Sequence, residues 1–165
     1  MTSQRSILTS LTIITAALAA CTPDAPTGAH SVRLAVVPGA AHGGRPLATS
    51  LTQEAWTSGY RGDPEGTGTA LLTVNAGQRE VCWQLEVQNI ALPATAAHIH
   101  KALAGDPGAI VVHLSAPDPS GTATGCRSGL DRELLADILE HPDDYYVNVH
   151  NATYPPGAVR GQLEH

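Results

Sequence analysis

His98 and His100, in the run Ala97-His98-Ile99-His100, and His150, closing Tyr145-Tyr146-Val147-Asn148-Val149-His150, have the types and spacing for chemistry. Side chains alternate faces along a β-strand, so residues two apart point the same way. His98 and His100 therefore share a face, with Ile99 turned opposite. In the second run Tyr145, Val147 and Val149 make one apolar face, and Tyr146, Asn148 and His150 make the other. If the two strands are neighbours, three imidazoles converge. Neutral imidazole is the commonest protein ligand for zinc and copper, and three of them leave a coordination position open. The same pattern also suits structural histidines bonded to backbone or hydroxyl groups, and both readings stay open at this point.

The elements that must position these residues are short and strand-like. Gly and Pro total 28 of 165 residues, which suits many turns better than long helices. Residues 32–37 (VRLAVV) read as a first strand, and 38–67 as a long irregular stretch. Residues 68–74 and 80–90 read as a hairpin around Asn75-Ala76-Gly77-Gln78. Its second arm alternates, with Val81, Trp83, Leu85 and Val87 inward and Cys82, Gln84, Glu86 and Gln88 outward. Residues 110–114 form another strand, with His113 opposite Ile110, Val112 and Leu114 and so facing solvent. Leu130, Leu134 and Ile138 follow helical spacing, and Pro142 stops the run. The fold class is therefore all-β: an antiparallel Greek-key sandwich or barrel with one short helix near residues 130–141.

The two histidine runs, the glycine-punctuated segment to Gly105-Asp106-Pro107-Gly108, and the terminal Val159-Arg160-Gly161-Gln162-Leu163 together resemble the CHRD domain. That domain is found in the secreted growth-factor antagonist chordin and in many microbial secreted proteins. The resemblance runs from about residue 31 to 163 and implies an extracytoplasmic β domain acting as a binding or structural module. Members usually carry glycine two residues after the His-x-His pair; Ala102 stands there in this chain. A weaker likeness is to copper–zinc superoxide dismutase, a Greek-key barrel whose copper is held by a His-x-His pair and a later strand histidine. His98, His100 and His150 match those ligands, and Arg160 matches an arginine that guides the anionic substrate. No bridging histidine follows Gly125-Cys126, and no zinc-binding His/Asp group is present. The likeness implies, as an alternative, a copper-dependent redox enzyme.

The front of the chain speaks to location. Arg5, the apolar run 7–20 and the ending Leu18-Ala19-Ala20-Cys21 resemble the signal peptide and lipobox of bacterial lipoproteins. That resemblance implies a signal peptide over residues 1–20 and a tether over 21–31 lipidated at Cys21. A β domain over 32–165 follows, on the extracytoplasmic side of a bacterial membrane. With Cys21 lipidated, Cys82 and Cys126 remain, and an exported chain favours their disulfide, tying the hairpin arm to the loop before the helix, over a pair of metal thiolates. The formal charge is −6, Lys101 is the single lysine, and no basic cluster occurs, which excludes nucleic acid as a partner. The membrane partner is then the lipid at Cys21. The ligand expected at the histidines is Cu or Zn. No Gly-x-Ser-x-Gly, phosphate loop or paired carboxylate arrangement marks a hydrolase.

Overall fold

The computed structural model describes residues 37, 39–40, 43–53 and 56–164. Among the described residues eight antiparallel strands form one sheet: β1 (Arg45–Thr52), β2 (Thr67–Asn75), β3 (Glu80–Gln88), β4 (Ala96–Lys101), β5 (Ala109–Leu114), β6 (Thr122–Ser128), β7 (Tyr145–His150) and β8 (Val159–Gln162). Their spatial order is β5-β4-β7-β8-β1-β2-β3-β6, so the chain crosses over between β3 and β4 and again between β6 and β7. The sheet curls into a nearly closed Greek-key barrel. Its two edges meet through side chains: Arg127 Nη1 donates to the His113 carbonyl at 3.3 Å, and Ser115 Oγ to the Thr124 carbonyl at 3.3 Å.

The inward residues of the β2–β3 hairpin are those the alternation marks, with Val81 and Leu85 fully buried and Val87 and Trp83 nearly so. Trp83 reaches across to donate Nε1–H to Ser115 Oγ at 2.9 Å. It can do so because β6 carries Gly125 opposite: a Cβ there would meet Trp83 Cζ2 at 2.6 Å. Leu47, Leu51, Leu72, Ile99, Val147, Val149 and Leu163 fill the rest of the interior.

A helix, α1 (Arg132–Glu140), packs Leu135 and Ile138 onto this core. Asp131 starts it as N-cap, its carboxylate accepting from the Glu133 N–H at 2.7 Å, and a 3-10 turn (Pro142–Asp144) follows. Asp137 fastens the helix to the barrel by accepting from Lys101 Nζ on β4 and the Tyr145 hydroxyl on β7. Those two donors hold its carboxyl down at about 2, well below the usual carboxylate range.

One sequence expectation falls almost wholly outside the described residues, and three need correction. Of the strand expected at 32–37, all but Val37 lies outside the described residues; Val37 itself is buried and donates its N–H to Thr73 Oγ1. The stretch 38–67 is not wholly irregular, because it contains β1, paired along its whole length with β2. Cys126 lies not in a loop but in strand β6, directly opposite Cys82 on β3. Ile110 does not share the burial of Val112 and Leu114: it is 44% exposed on an edge strand whose register shifts beside Ile99 and His100.

Cys82 and Cys126 are joined as a disulfide across 44 residues of sequence. In the chain-entropy view, closing such a loop stabilises the fold by about 4 kcal/mol. The double change Cys82→Ser, Cys126→Ser should lower the urea midpoint accordingly, and denatured unreduced protein should show no reactive thiol at Cys82 or Cys126. An unchanged midpoint, or a thiol at either position, would contradict this.

Candidate metal centre

Strand pairing sets the site. On the outer face of the barrel, His113, His98, Asn148 and Arg160 form one cross-strand row over β5, β4, β7 and β8. His100, Tyr146 and Gln162 form the next row, and His150 lies opposite Ala96. An outer face of a barrel normally meets water, yet all six residues of β7 are buried. Loops cover it. Tyr60 donates its hydroxyl to the Gly157 carbonyl at 3.0 Å, the Asp63 N–H bonds the Ala158 carbonyl at 2.8 Å, and the Thr57 N–H bonds the Gly105 carbonyl at 2.8 Å.

Arg160 locks this cover. It is 2% exposed, and its guanidinium donates to the carbonyls of Asp106 (2.7 Å) and Leu103 (2.9 Å) and to Gln162 Oε1 (3.2 Å). The same group lies 3.4 Å from the Tyr146 ring centre and 5.3 Å from that of Trp56. Tyr146 in turn stacks on His100, with ring centres 4.7 Å apart and planes 4° from parallel. Ala102, which stands where related domains have glycine, shows no positive φ; Gly105 takes that conformation instead. Alanine therefore fits.

Three imidazoles come together at the edge of this layer. His98 Nδ1 lies 3.1 Å from His150 Nε2, and one ring nitrogen from each of His98, His100 and His150 falls within 4.8 Å of the others. Ligands held about 2 Å from one ion sit about 3–4 Å apart, so modest closure gives a ligand set. The tautomers follow from the acceptors. His100 Nδ1–H donates to the Gly108 carbonyl at 3.0 Å, and His150 Nδ1–H to the Pro155 carbonyl at 2.9 Å. Each ring thereby keeps its lone pair on Nε2. A second ring nitrogen bonded to a carbonyl is the usual support of a metal-bound histidine. His150 Nε2 meets His98, whereas His100 Nε2 is buried with no hydrogen-bond partner among the described residues. An orphaned buried acceptor costs stability unless something else occupies its lone pair. The other group of possible ligand atoms, Glu80, Cys82 and Cys126, has both thiols consumed in the disulfide.

Burial depresses the basicity of all three rings. His98 is drawn down to about 4, first by burial and then by the mutual repulsion of His150, His100 and His113 as cations. His100 and His150 are lowered chiefly by burial, opposed by their carbonyl partners. The cluster thus stays neutral, the form that binds metal, well into mild acid. The unfolded rings take up protons near 6.5 and native His98 only near 4, so the unfolded state binds more protons across that window. Stability should be full above pH about 6.5 and fall as pH drops toward 4. His98→Gln should flatten that part of the metal-free melting profile relative to the parent chain. Two profiles with the same slope would contradict it.

The sequence singled out His98, His100, His150 and Arg160, and the fold brings the three rings together with Arg160 one stacked ring away. It did not single out Tyr146 and Trp56 as packing partners, nor Gly108 and Pro155 as the carbonyls that set the tautomers. No sequence signal marks a backbone carbonyl. His113, read as solvent-facing, is exposed but lies beside His98, with ring centres 4.9 Å apart.

The chain is a Greek-key β domain with a histidine cluster on its covered outer face. The family model of the CHRD domain matches residues 14–163, and the chain belongs to that family. No curated protein and no solved structure matches it. Family membership supports a binding or structural module.

Proposed function

We propose that this CHRD domain is a lipid-anchored module of the bacterial cell envelope that holds one Cu or Zn ion on His98, His100 and His150. The observation that carries the metal is the orphaned, buried Nε2 of His100, on a ring grouped with those of His98 and His150 and with its Nδ1–H fixed on a carbonyl. An all-imidazole set without thiolate or carboxylate suits Cu and Zn. The anchor rests on Leu18-Ala19-Ala20-Cys21 ending an apolar run. This segment lies outside the described residues. Acyl chains at Cys21 would gain about 0.8 kcal/mol per buried methylene.

No observation favours the dismutase alternative over simple binding. A steering arginine must face the solvent from which the anion arrives, and Arg160 is instead covered and bonded to two carbonyls. Metal content of the protein purified from membranes, followed by a superoxide assay, tests both readings. One equivalent of Cu or Zn without turnover is expected. Metal-free protein that refuses both ions would overturn the metal, and rapid dismutation would restore the enzyme.

The anchor has its own test. Labelled palmitate should enter the parent chain, and Cys21→Ala should lose both label and membrane attachment. A Cys21→Ala protein that stays on the membrane would contradict it.

A further inference from the structure

Among the described residues one further imidazole borders the cluster and is left unused by a three-histidine site. His113 on β5 stands directly opposite His98 on β4. Its ring lies as close to His98 as that of His150 does, 4.9 Å between centres in each case, so His98 is flanked on both sides. The two flanking residues are held differently. His150 is buried and tied through Nδ1 to a carbonyl, whereas the His113 ring is exposed and, among the described residues, no hydrogen bond holds its nitrogens. Its backbone, by contrast, is fixed at the barrel seam, where Arg127 donates to its carbonyl. An exposed ring on an anchored backbone can approach and leave a point set by its neighbours. Exposed side chains change rotamer in picoseconds to nanoseconds.

We propose that His113 is the fourth, displaceable ligand of the centre, swinging onto the ion from the solvent side and completing a four-nitrogen site for Cu(II). The inference rests on the three-histidine reading and adds to it a residue and a preferred ion. Its chemistry follows from the donor set. Three nitrogens leave one position open, and Cu(II) favours tetragonal surroundings of nitrogen and oxygen, which a fourth imidazole supplies. In the structure the His113 nitrogens stand outside the set of ring nitrogens within 4.8 Å of one another. The ring must therefore turn inward on binding, and an incoming ligand can push it out again. Directly opposed residues on neighbouring antiparallel strands have Cβ atoms about 4.5–5.5 Å apart, within reach of one ion held by both rings.

The test is Cu(II) titration of the full-length chain with pulsed electron paramagnetic resonance to count bound imidazoles. The parent chain, His113→Ala, and His141→Ala as an exposed-histidine control are compared. His113→Ala should still bind one equivalent, show one imidazole fewer, and bind Cu(II) about tenfold to a hundredfold more weakly, the range over which supporting residues tune metal centres. His141→Ala should match the parent. Identical spectra and affinity for His113→Ala and the parent would overturn this proposal while leaving the three-histidine site standing. A parent chain that binds no Cu(II) would overturn both.

Discussion

His100→Ala should abolish stoichiometric binding of Cu(II) and Zn(II) while the chain still unfolds in a single cooperative transition. Of the three rings, His100 is the one whose ligating nitrogen has no other use in the fold: Nε2 is buried and without a hydrogen-bond partner among the described residues. Removing it deletes a donor that His98 and His150 cannot replace. Truncation also empties space against Tyr146, on which the ring stacks. Deleting a buried aromatic ring costs about 3–5 kcal/mol, lessened here because an unsatisfied acceptor disappears with it. His100→Phe separates the two effects, since it keeps a ring on Tyr146 but offers no nitrogen. Calorimetric titration should show one site in the parent chain and none in either variant. An unchanged stoichiometry would move the site elsewhere.

Arg160→Ala should produce the largest loss of stability of any single change beside the site. Two carbonyls, those of Leu103 and Asp106, lose their buried donor at once, and Tyr146 and Trp56 lose the guanidinium between them and the loop. Each hydrogen bond from a charged donor is worth about 1.5–3 kcal/mol, so a fall of about 3 kcal/mol or more is expected in urea denaturation. Metal affinity should drop as well, because the loop that Arg160 pins ends at Gly108, whose carbonyl fixes the His100 tautomer. Arg160→Lys should not rescue, since a single ammonium cannot serve two carbonyls and stack on a ring. A loss below about 1 kcal/mol would show that the loop holds itself in place.

How much of this was legible in the chain depended on how local each signal was. The period of two in residues 97–100 and 145–150 placed three imidazoles on one face. The hairpin and the helix followed from equally local patterns. Strand β1 escaped because only Leu47 and Leu51 of its eight residues are buried, amid Pro, Ser and Thr. Strand β6 escaped for the same reason, with Ala123 its single buried residue and a glycine where Trp83 must lie. The burial of Tyr146 and Asn148 could not be read from alternation. It arises from loops far along the chain folding over the outer face, and their capture by Arg160 is a tertiary event. Likewise His113 read correctly as exposed, but its place beside His98 depends on a strand register that shifts at Ile99 and His100.

X-ray absorption at the copper edge of the Cu(II)-loaded full-length chain tests the central claim most directly. The account predicts one ion per chain with at least three imidazole nitrogens at about 2 Å, marked by the multiple scattering of histidine rings. That signal should vanish in His100→Ala. A shell of oxygen alone, or an imidazole signal untouched by His100→Ala, would contradict it.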